Sequence, residues 1–110
     1  MSFLAATAAT TGAHAEETPA EKIAAGHSFA LRVCWACHVV AKDQPTAPIL
    51  KTPAPSFHDI AQRPTLNEAA LRKFLASHSE NIGPNAGMPN PLLVDYQIDE
   101  IVAYILSLKQ

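Results

Sequence analysis

Apolar positions along this chain recur at helical spacing in three stretches, over residues 18–34, 65–78 and 95–108. Apolar residues at i, i+3, i+4 and i+7 are typical of a helix with one buried face. In the middle stretch that face consists of Leu71, Phe74 and Leu75, with His78 next on the same side. In the last stretch it consists of Ile98, Ile101, Val102 and Ile105. No stretch alternates apolar and polar residues as a strand would. The pattern therefore predicts an all-α fold with three or four short helices.

The expected helix starts are marked by residues that accept hydrogen bonds from the first free backbone N–H groups. Thr18 begins the pattern T-x-x-E, a capping box, and Pro19 follows at a position where its missing N–H is not needed. Thr65 begins the same pattern before the second long helix. Ser56 stands three positions before an aspartate. These signals predict helices that begin directly after residues 18, 56 and 65, the one after residue 56 with only one or two turns.

Two long segments between the helices are predicted to be loops. Residues 42–55 have prolines at positions 45, 48, 53 and 55, which exclude a helix and disfavour a strand. Residues 79–91 contain two glycines and three prolines. Long loops in a compact domain are normally functional. An embedded cofactor, against which the loops pack, accounts for this high loop content.

Size and composition narrow the class of protein further. A chain of 110 residues with 6% aromatic residues builds one domain with a small core, which usually needs a disulfide, a metal or a cofactor for stability. The two cysteines are too close in sequence to constrain the unfolded chain much as a disulfide. A net charge of −2 without a basic block excludes a nucleic-acid partner. No apolar run reaches the roughly 18 residues of a transmembrane segment.

The first fifteen residues differ from the rest of the chain. Residues 1–15 are small, weakly apolar and uncharged, and they end in Ala13-His14-Ala15, which resembles the A-x-A cleavage site of a secretory signal peptide. No Lys or Arg precedes the apolar part, so the segment is either the remnant of a longer leader or a disordered tail. We favour the leader. The mature domain then spans residues 16–110, and its cysteines lie in an oxidising compartment.

The candidate chemistry lies in Cys34-Trp35-Ala36-Cys37-His38, which fits C-x-x-C-H, the motif of covalent haem attachment. Two thiols three positions apart at a helix end can reach both vinyl groups along one edge of a porphyrin. The histidine directly after the second thiol is then held beneath the iron as its proximal ligand. The motif therefore predicts thioether bonds from Cys34 and Cys37, with His38 on the iron.

Three other interpretations of the cysteine pair stay open at this point. A dithiol–disulfide centre of the thioredoxin type uses C-x-x-C but expects strands, which the pattern lacks. A structural zinc site needs four ligands, so Cys34 and Cys37 would have to recruit His58 and His78. The third is a pair of buried cysteines beside a core histidine. Covalent haem is favoured because it also explains how so small a core holds together.

From about residue 18 to residue 108 the chain resembles the class I cytochromes c, the mitochondrial-type and small bacterial carriers. The resemblance rests on a glycine-bearing first helix that leads into C-W-A-C-H, a late G-M-P-N-P loop, and a closing helix with an aromatic residue. It implies the class I cytochrome c fold, in which helices and long loops wrap around one covalent haem c. It also implies that the first and last helices cross closely at Gly26 and Tyr104. A glycine within a helix weakens it by about 1 kcal/mol relative to alanine, which is understandable if another backbone approaches there.

The resemblance further implies that Met88 is the distal ligand of the iron. The residues themselves support this role, because Met1 lies in the proposed leader and Met88 is then the one thioether of the mature chain. Pro89 biases Met88 away from the helical region. A stiff loop that presents one soft sulfur suits a weak ligand on haem iron. The alternatives are a methionine that only fills a gap, or a second histidine ligand from His78 or His58.

In the family a proline carbonyl accepts the N–H of the proximal histidine, which fixes the ring and tunes the iron. Here the candidates for that contact are Pro48 and Pro45. The usual G-P-x-L spelling is replaced by T-A-P-I-L.

The expected function is that of a periplasmic one-electron carrier and not of an enzyme. With His38 and Met88 both bound, the iron has no open position for a substrate. The expected partners are a dehydrogenase or quinol-oxidising complex as donor and a terminal oxidase or reductase as acceptor, with the chain a monomer or a subunit of a complex. One alternative is a dedicated cytochrome subunit of a periplasmic dehydrogenase. Another is a haem peroxidase or gas-ligand sensor with a labile distal ligand. The mitochondrial intermembrane space is the second choice of compartment.

Overall fold

The computed structural model describes residues 2, 5, 17–77 and 88–110. Within these residues the framework consists of four helices: α1 (Pro19–Val33), α2 (Phe57–Ala61), α3 (Glu68–Ser77) and α4 (Asp95–Ser107). No strand occurs in the same part of the chain, and the predicted all-α fold is confirmed. None of the four helices is long and apolar enough to cross a bilayer.

Two of the predicted helix starts are confirmed by their side-chain hydrogen bonds. The Thr18 Oγ1 atom accepts a hydrogen bond of 3.1 Å from the Glu21 N–H, with Pro19 as the first residue of α1. The Ser56 Oγ atom accepts one of 3.1 Å from the Asp59 N–H at the start of α2. Local capping therefore sets where these two helices begin, as the sequence indicated.

The predicted start of α3 at Thr65 is wrong, because Asn67 caps this helix. The Asn67 Oδ1 atom accepts a hydrogen bond of 2.8 Å from the Ala70 N–H, and the helix begins at Glu68. Thr65 lies inside a turn that the Leu66 N–H closes onto the carbonyl of Arg63 at 3.1 Å. Asparagine is as good an N-cap as threonine. Because Thr65 is part of the preceding turn, the helix begins after Asn67. Of the predicted apolar face, two residues are buried and Phe74 remains 48% exposed. His78 lies outside the described residues.

Helix α4 is the centre of the fold, since each of the other three helices packs against it and α1 packs most extensively. At the crossing with α1, Gly26 is buried. A Cβ atom added to Gly26 would lie 2.0 Å from the carbonyl oxygen of Glu100 and 2.7 Å from the Cβ of Tyr104. Real Cβ atoms do not approach other atoms that closely. The close crossing of the first and last helices at Gly26 and Tyr104 is thus present in this chain.

The core lies between α4 and the other elements. Its buried apolar residues are Phe29, Ala30, Val40, Phe57, Ala61, Leu71, Leu75, Ile98, Ile101, Val102, Tyr104 and Ile105. The four residues predicted as the apolar face of α4 are all among them. A buried hydrogen bond also joins distant parts of the core, since the Tyr104 hydroxyl donates to the carbonyl of Val40 at 2.6 Å. This bond ties the loop after the cysteine motif to α4.

We expect Tyr104→Phe to lower the free energy of unfolding by about 1–3 kcal/mol, because it leaves the buried Val40 carbonyl without its donor. Denaturant titration of the haem-loaded protein measures the change. Tyr96→Phe is the matched control, since Tyr96 is on the same helix but is 62% exposed. Equal midpoints for the two variants would contradict a stabilising role for the bond.

Candidate functional site

A cavity of about 780 Å³ opens between α3, α4 and the loops, within the size range of ligand pockets in proteins. Most of its wall is aliphatic or aromatic. All four residues that the sequence singled out line this cavity: Cys34, Cys37, His38 and Met88. Two of these, Cys34 and Met88, are more than fifty positions apart, so the fold brings them to one place.

The cysteine motif forms a tight turn at the carboxyl end of α1. Cys34 caps this helix, and its carbonyl accepts hydrogen bonds from the N–H groups of Cys37 at 3.3 Å and His38 at 3.0 Å. Both cysteines are free thiols. Burial, with a smaller contribution from Cys37, raises the pKa of Cys34 to about 11. A pKa this high keeps the Cys34 thiol protonated at neutral pH.

The His38 side chain is buried, with 7% of its surface exposed, and its two ring nitrogens have different environments. Nδ1 donates a hydrogen bond of 2.6 Å to the carbonyl of Pro55. Nε2 is buried and has no hydrogen-bond partner. Because Nδ1 carries the proton, Nε2 offers a lone pair at the cavity wall. A buried ring nitrogen without a partner fits an iron ligand, since buried polar atoms are otherwise paired.

The carbonyl that supports His38 belongs to Pro55, so the expectation of Pro48 or Pro45 is wrong. The loop turns back along the motif, and the Ile49 N–H donates to the carbonyl of Ala36 at 2.9 Å. Further along, the Ala54 N–H donates to the carbonyl of Cys37 at 2.9 Å. These bonds carry Pro45 and Pro48 past the imidazole and bring Pro55 against it.

Phe57 is a site residue that the sequence reasoning missed. Its ring lies 5.2 Å from the His38 ring, centroid to centroid, and it also lines the cavity. The available signal was an aromatic residue placed directly after the Ser56 cap, at the start of a short helix.

Met88 is partly buried, packs against the hydrophobic core and lies at the cavity wall together with Pro89. The preceding loop residues, with His78, lie outside the described part of the chain. His58 is exposed beside Asp59, 3.5 Å from one of its carboxylate oxygens, and does not line the cavity. Among the described residues, no histidine other than His38, the predicted proximal ligand, lines this cavity.

Two of the alternatives for the cysteine pair, a zinc site and a thioredoxin-type disulfide centre, find no support in the described residues. No group of three or more His, Cys, Asp or Glu side chains in this part of the chain is arranged to hold a metal ion. The same residues contain no strand of a thioredoxin-like fold. Two thiols, a buried imidazole nitrogen and a thioether at one apolar cavity do fit a haem group bound covalently through C-x-x-C-H.

Comparison with known proteins agrees with this fit. The sequence profile described as Cytochrome c matches residues 23–109. The chain belongs to the cytochrome c family. Over 87 residues it is 37% identical to cytochrome c-552 of Bradyrhizobium diazoefficiens, an alignment that covers 77% of this chain and 75% of that relative. No solved structure matches the chain.

Membership in the family identifies the cofactor of this chain. Class I cytochromes c carry covalent haem c with its iron, and they serve as electron carriers. The cofactor of this family is haem c, and the spacing of Cys34 and Cys37 is that of its attachment motif, C-x-x-C-H. An electron carrier of this kind exchanges single electrons with other redox proteins.

Proposed function

We propose that Cys34 and Cys37 bind haem c through two thioether bonds, and that His38 and Met88 are its axial ligands. The observation that carries the proposal is the buried, unpartnered Nε2 of His38 at the cavity that both thiols and the Met88 side chain also line. When bound, haem c supplies a one-electron couple at its iron.

The residues that would surround the iron suit electron transfer. The hydrogen bond from His38 Nδ1 to the carbonyl of Pro55 holds the imidazole in one orientation and raises the basicity of Nε2. A thioether ligand together with an apolar wall favours the ferrous state. With His38 and Met88 both bound, no axial position is left for a substrate, so the chain acts as a carrier and not as an enzyme.

The compartment proposed for this carrier is the periplasm. The small, uncharged residues 1–15 that end in Ala13-His14-Ala15 support export, and a bacterial relative fits an exported cytochrome. The donor is then a periplasmic dehydrogenase or a quinol-oxidising complex, and the acceptor is a terminal oxidase or reductase. Small redox interfaces of this kind are weak and brief. Amino-terminal sequencing of periplasmic protein should give Glu16 first, whereas an unprocessed cytoplasmic chain would contradict export.

The visible spectrum of protein matured in an export-competent host tests attachment and ligation together. We expect a pyridine haemochrome of the c type and the far-red band of ferric iron bound to thioether sulfur. Rapid binding of carbon monoxide to the native ferrous protein would instead support a gas-sensing or peroxidase role. Size-exclusion chromatography of native extract distinguishes a free carrier, which elutes alone, from a subunit held on one dehydrogenase.

We expect Met88→Ala to abolish the far-red band, to lower the reduction potential and to allow carbon monoxide to bind. A potential shift of roughly 0.1 V or more is expected, since axial ligands span about 0.8 V across haem proteins. Val94→Ala is the control, because Val94 is 51% exposed in the same segment and does not line the cavity. An unchanged spectrum and potential in Met88→Ala would remove Met88 from the iron.

A further inference from the structure

The side chain of Gln44 bonds several backbone groups within the cysteine motif and directly after it. Its Oε1 atom accepts a hydrogen bond of 2.7 Å from the Val40 N–H. Its Nε2 atom donates to the carbonyl of Thr46 at 2.8 Å. The same nitrogen is 3.3 Å from the carbonyl of His38 and 3.5 Å from that of Trp35. One half-buried amide thus bonds backbone groups of the cysteine motif together with those of Val40 and Thr46.

The orientation of this amide is fixed by the chemistry of its partners. The group near Oε1 is a donor, the Val40 N–H, and all the groups near Nε2 are carbonyl oxygens. A flipped amide would place its NH₂ group against an N–H and its oxygen against carbonyls. The side chain at position 44 therefore needs both an acceptor and a donor at its end, at the distance of these backbone groups. The amide of glutamine supplies both.

These contacts belong to a set that holds the backbone directly after His38. The Val39 carbonyl accepts a hydrogen bond of 3.0 Å from the Phe57 N–H. The Val40 carbonyl accepts the Tyr104 hydroxyl at 2.6 Å. Gln44 bonds the His38 carbonyl and the Val40 N–H. The backbone of residues 38–40 is therefore bonded by three residues, Gln44, Phe57 and Tyr104.

The same backbone sets the geometry of the hydrogen bond beneath the imidazole. The donor, Nδ1, is on His38, and the acceptor is the carbonyl of Pro55, two positions before Phe57. The 2.6 Å bond therefore spans two segments, residues 38–40 and 55–57, which Val39 and Phe57 join. If residues 38–40 shift, the Nδ1–H points away from its acceptor and the bond weakens.

We propose that Gln44 is a positioning residue for the proximal ligand. It holds residues 38–40 so that His38 donates its full hydrogen bond to Pro55, and it thereby sets the reduction potential. This inference rests on the proposed role of His38 as the iron ligand. A strong Nδ1–H···O bond makes Nε2 a better electron donor, which stabilises ferric iron and lowers the potential. Without Gln44 the bond weakens, and the potential rises.

The test uses the haem-loaded full chain with Gln44→Met, which keeps the length of the side chain, adds no charge and loses both hydrogen-bonding groups. We expect an upward shift of the midpoint potential and faster solvent exchange of the His38 Nδ1 proton in the reduced protein. The far-red band of thioether ligation should remain, because Met88 is not disturbed.

Gln62→Met is the matched control. Gln62 is also half-buried and bonds backbone at several points, with Nε2 2.7 Å from the carbonyl of Leu108 and Oε1 3.1 Å from the N–H of Gln110. It ties α2 to the carboxyl terminus, and its side-chain hydrogen bonds do not involve residues 38–40. Gln62→Met should lower the denaturation midpoint and leave the potential and the His38 proton exchange unchanged.

Gln44→Asn gives a second measurement if Gln44→Met loads haem poorly, because its amide is one methylene too short to reach Val40 and Thr46 together. It should shift the potential in the same direction. If Gln44 variants lose stability as Gln62→Met does, with the potential and proton exchange of the parent, Gln44 is structural only and the inference is wrong. If the parent protein itself lacks the spectrum of His and Met ligation, the proposed function fails, and the inference with it.

Discussion

Gly26→Val is expected to prevent stable packing of α1 on α4 and to lower the free energy of unfolding by roughly 3 kcal/mol or more, the upper end for overpacked cores. The first added carbon already lies 2.0 Å from the Glu100 carbonyl oxygen. That oxygen belongs to the backbone of α4, so no side-chain rotation relieves the clash. The helices have to move apart, and the core beneath them loses its close contacts.

The smaller variant Gly26→Ala decides between two physical effects of opposite sign. Helix propensity alone predicts that alanine stabilises α1 by about 1 kcal/mol relative to glycine. The backbone contact predicts destabilisation, because a single methyl group is already too large. We expect the contact to dominate, since overpacking by this amount exceeds the gain in propensity.

Denaturant titration of haem-loaded protein measures both changes. Ala24→Val is the matched control, because Ala24 is exposed on the same helix and the substitution changes helix propensity by less than about 1 kcal/mol. A Gly26→Ala variant as stable as the parent or more so would show that α1 and α4 do not cross as closely as the structure has them.

Replacing both cysteines, Cys34→Ser with Cys37→Ser, is expected to remove covalent attachment almost completely. Serine hydroxyls do not form thioethers, so any haem held by His38 and the cavity wall should extract into acidic acetone. Apolar burial around a free haem does not replace the two covalent bonds in a domain with so small a core. Haem-loaded protein should therefore fall sharply in yield.

Haem absorbance per chain, before and after acidic acetone extraction, measures the effect. Ala36→Ser is the control, because it adds a hydroxyl between the two cysteines and keeps both thiols. Each single cysteine variant should retain one bond and lose part of the yield. Normal amounts of acid-stable haem in the double variant would contradict attachment at these positions.

The features that could be predicted from the sequence are those that depend on neighbouring residues. Thr18 and Ser56 cap helices because each oxygen reaches an N–H three positions on. The apolar face of α4 is buried because helical spacing puts its residues on one side. The start of α3 could not be predicted in this way, because Thr65 and Asn67 are both good N-caps. Thr65 lies within the turn from Arg63 to Leu66, so Asn67 caps the helix.

The site divides in the same way. Five consecutive residues, from Cys34 to His38, carry the cysteine pair and the histidine, so no fold was needed to recognise their chemistry. The contact beneath the imidazole comes from Pro55, seventeen positions away. The sequence offers several prolines in the same loop and does not say which one comes to rest against the ring.

By itself the sequence determined the helical class, the apolar face of α4, the haem motif and a candidate methionine, because each depends on residue type and spacing along a few turns. Only the tertiary structure decided that Pro55 supports His38 and that Gln44 holds the backbone beside it. Those contacts depend on how a proline-rich loop folds back on itself. Hydrogen bonds between distant backbone groups set that path. Nearly all residues carry the same backbone groups, so the sequence does not indicate which of them pair.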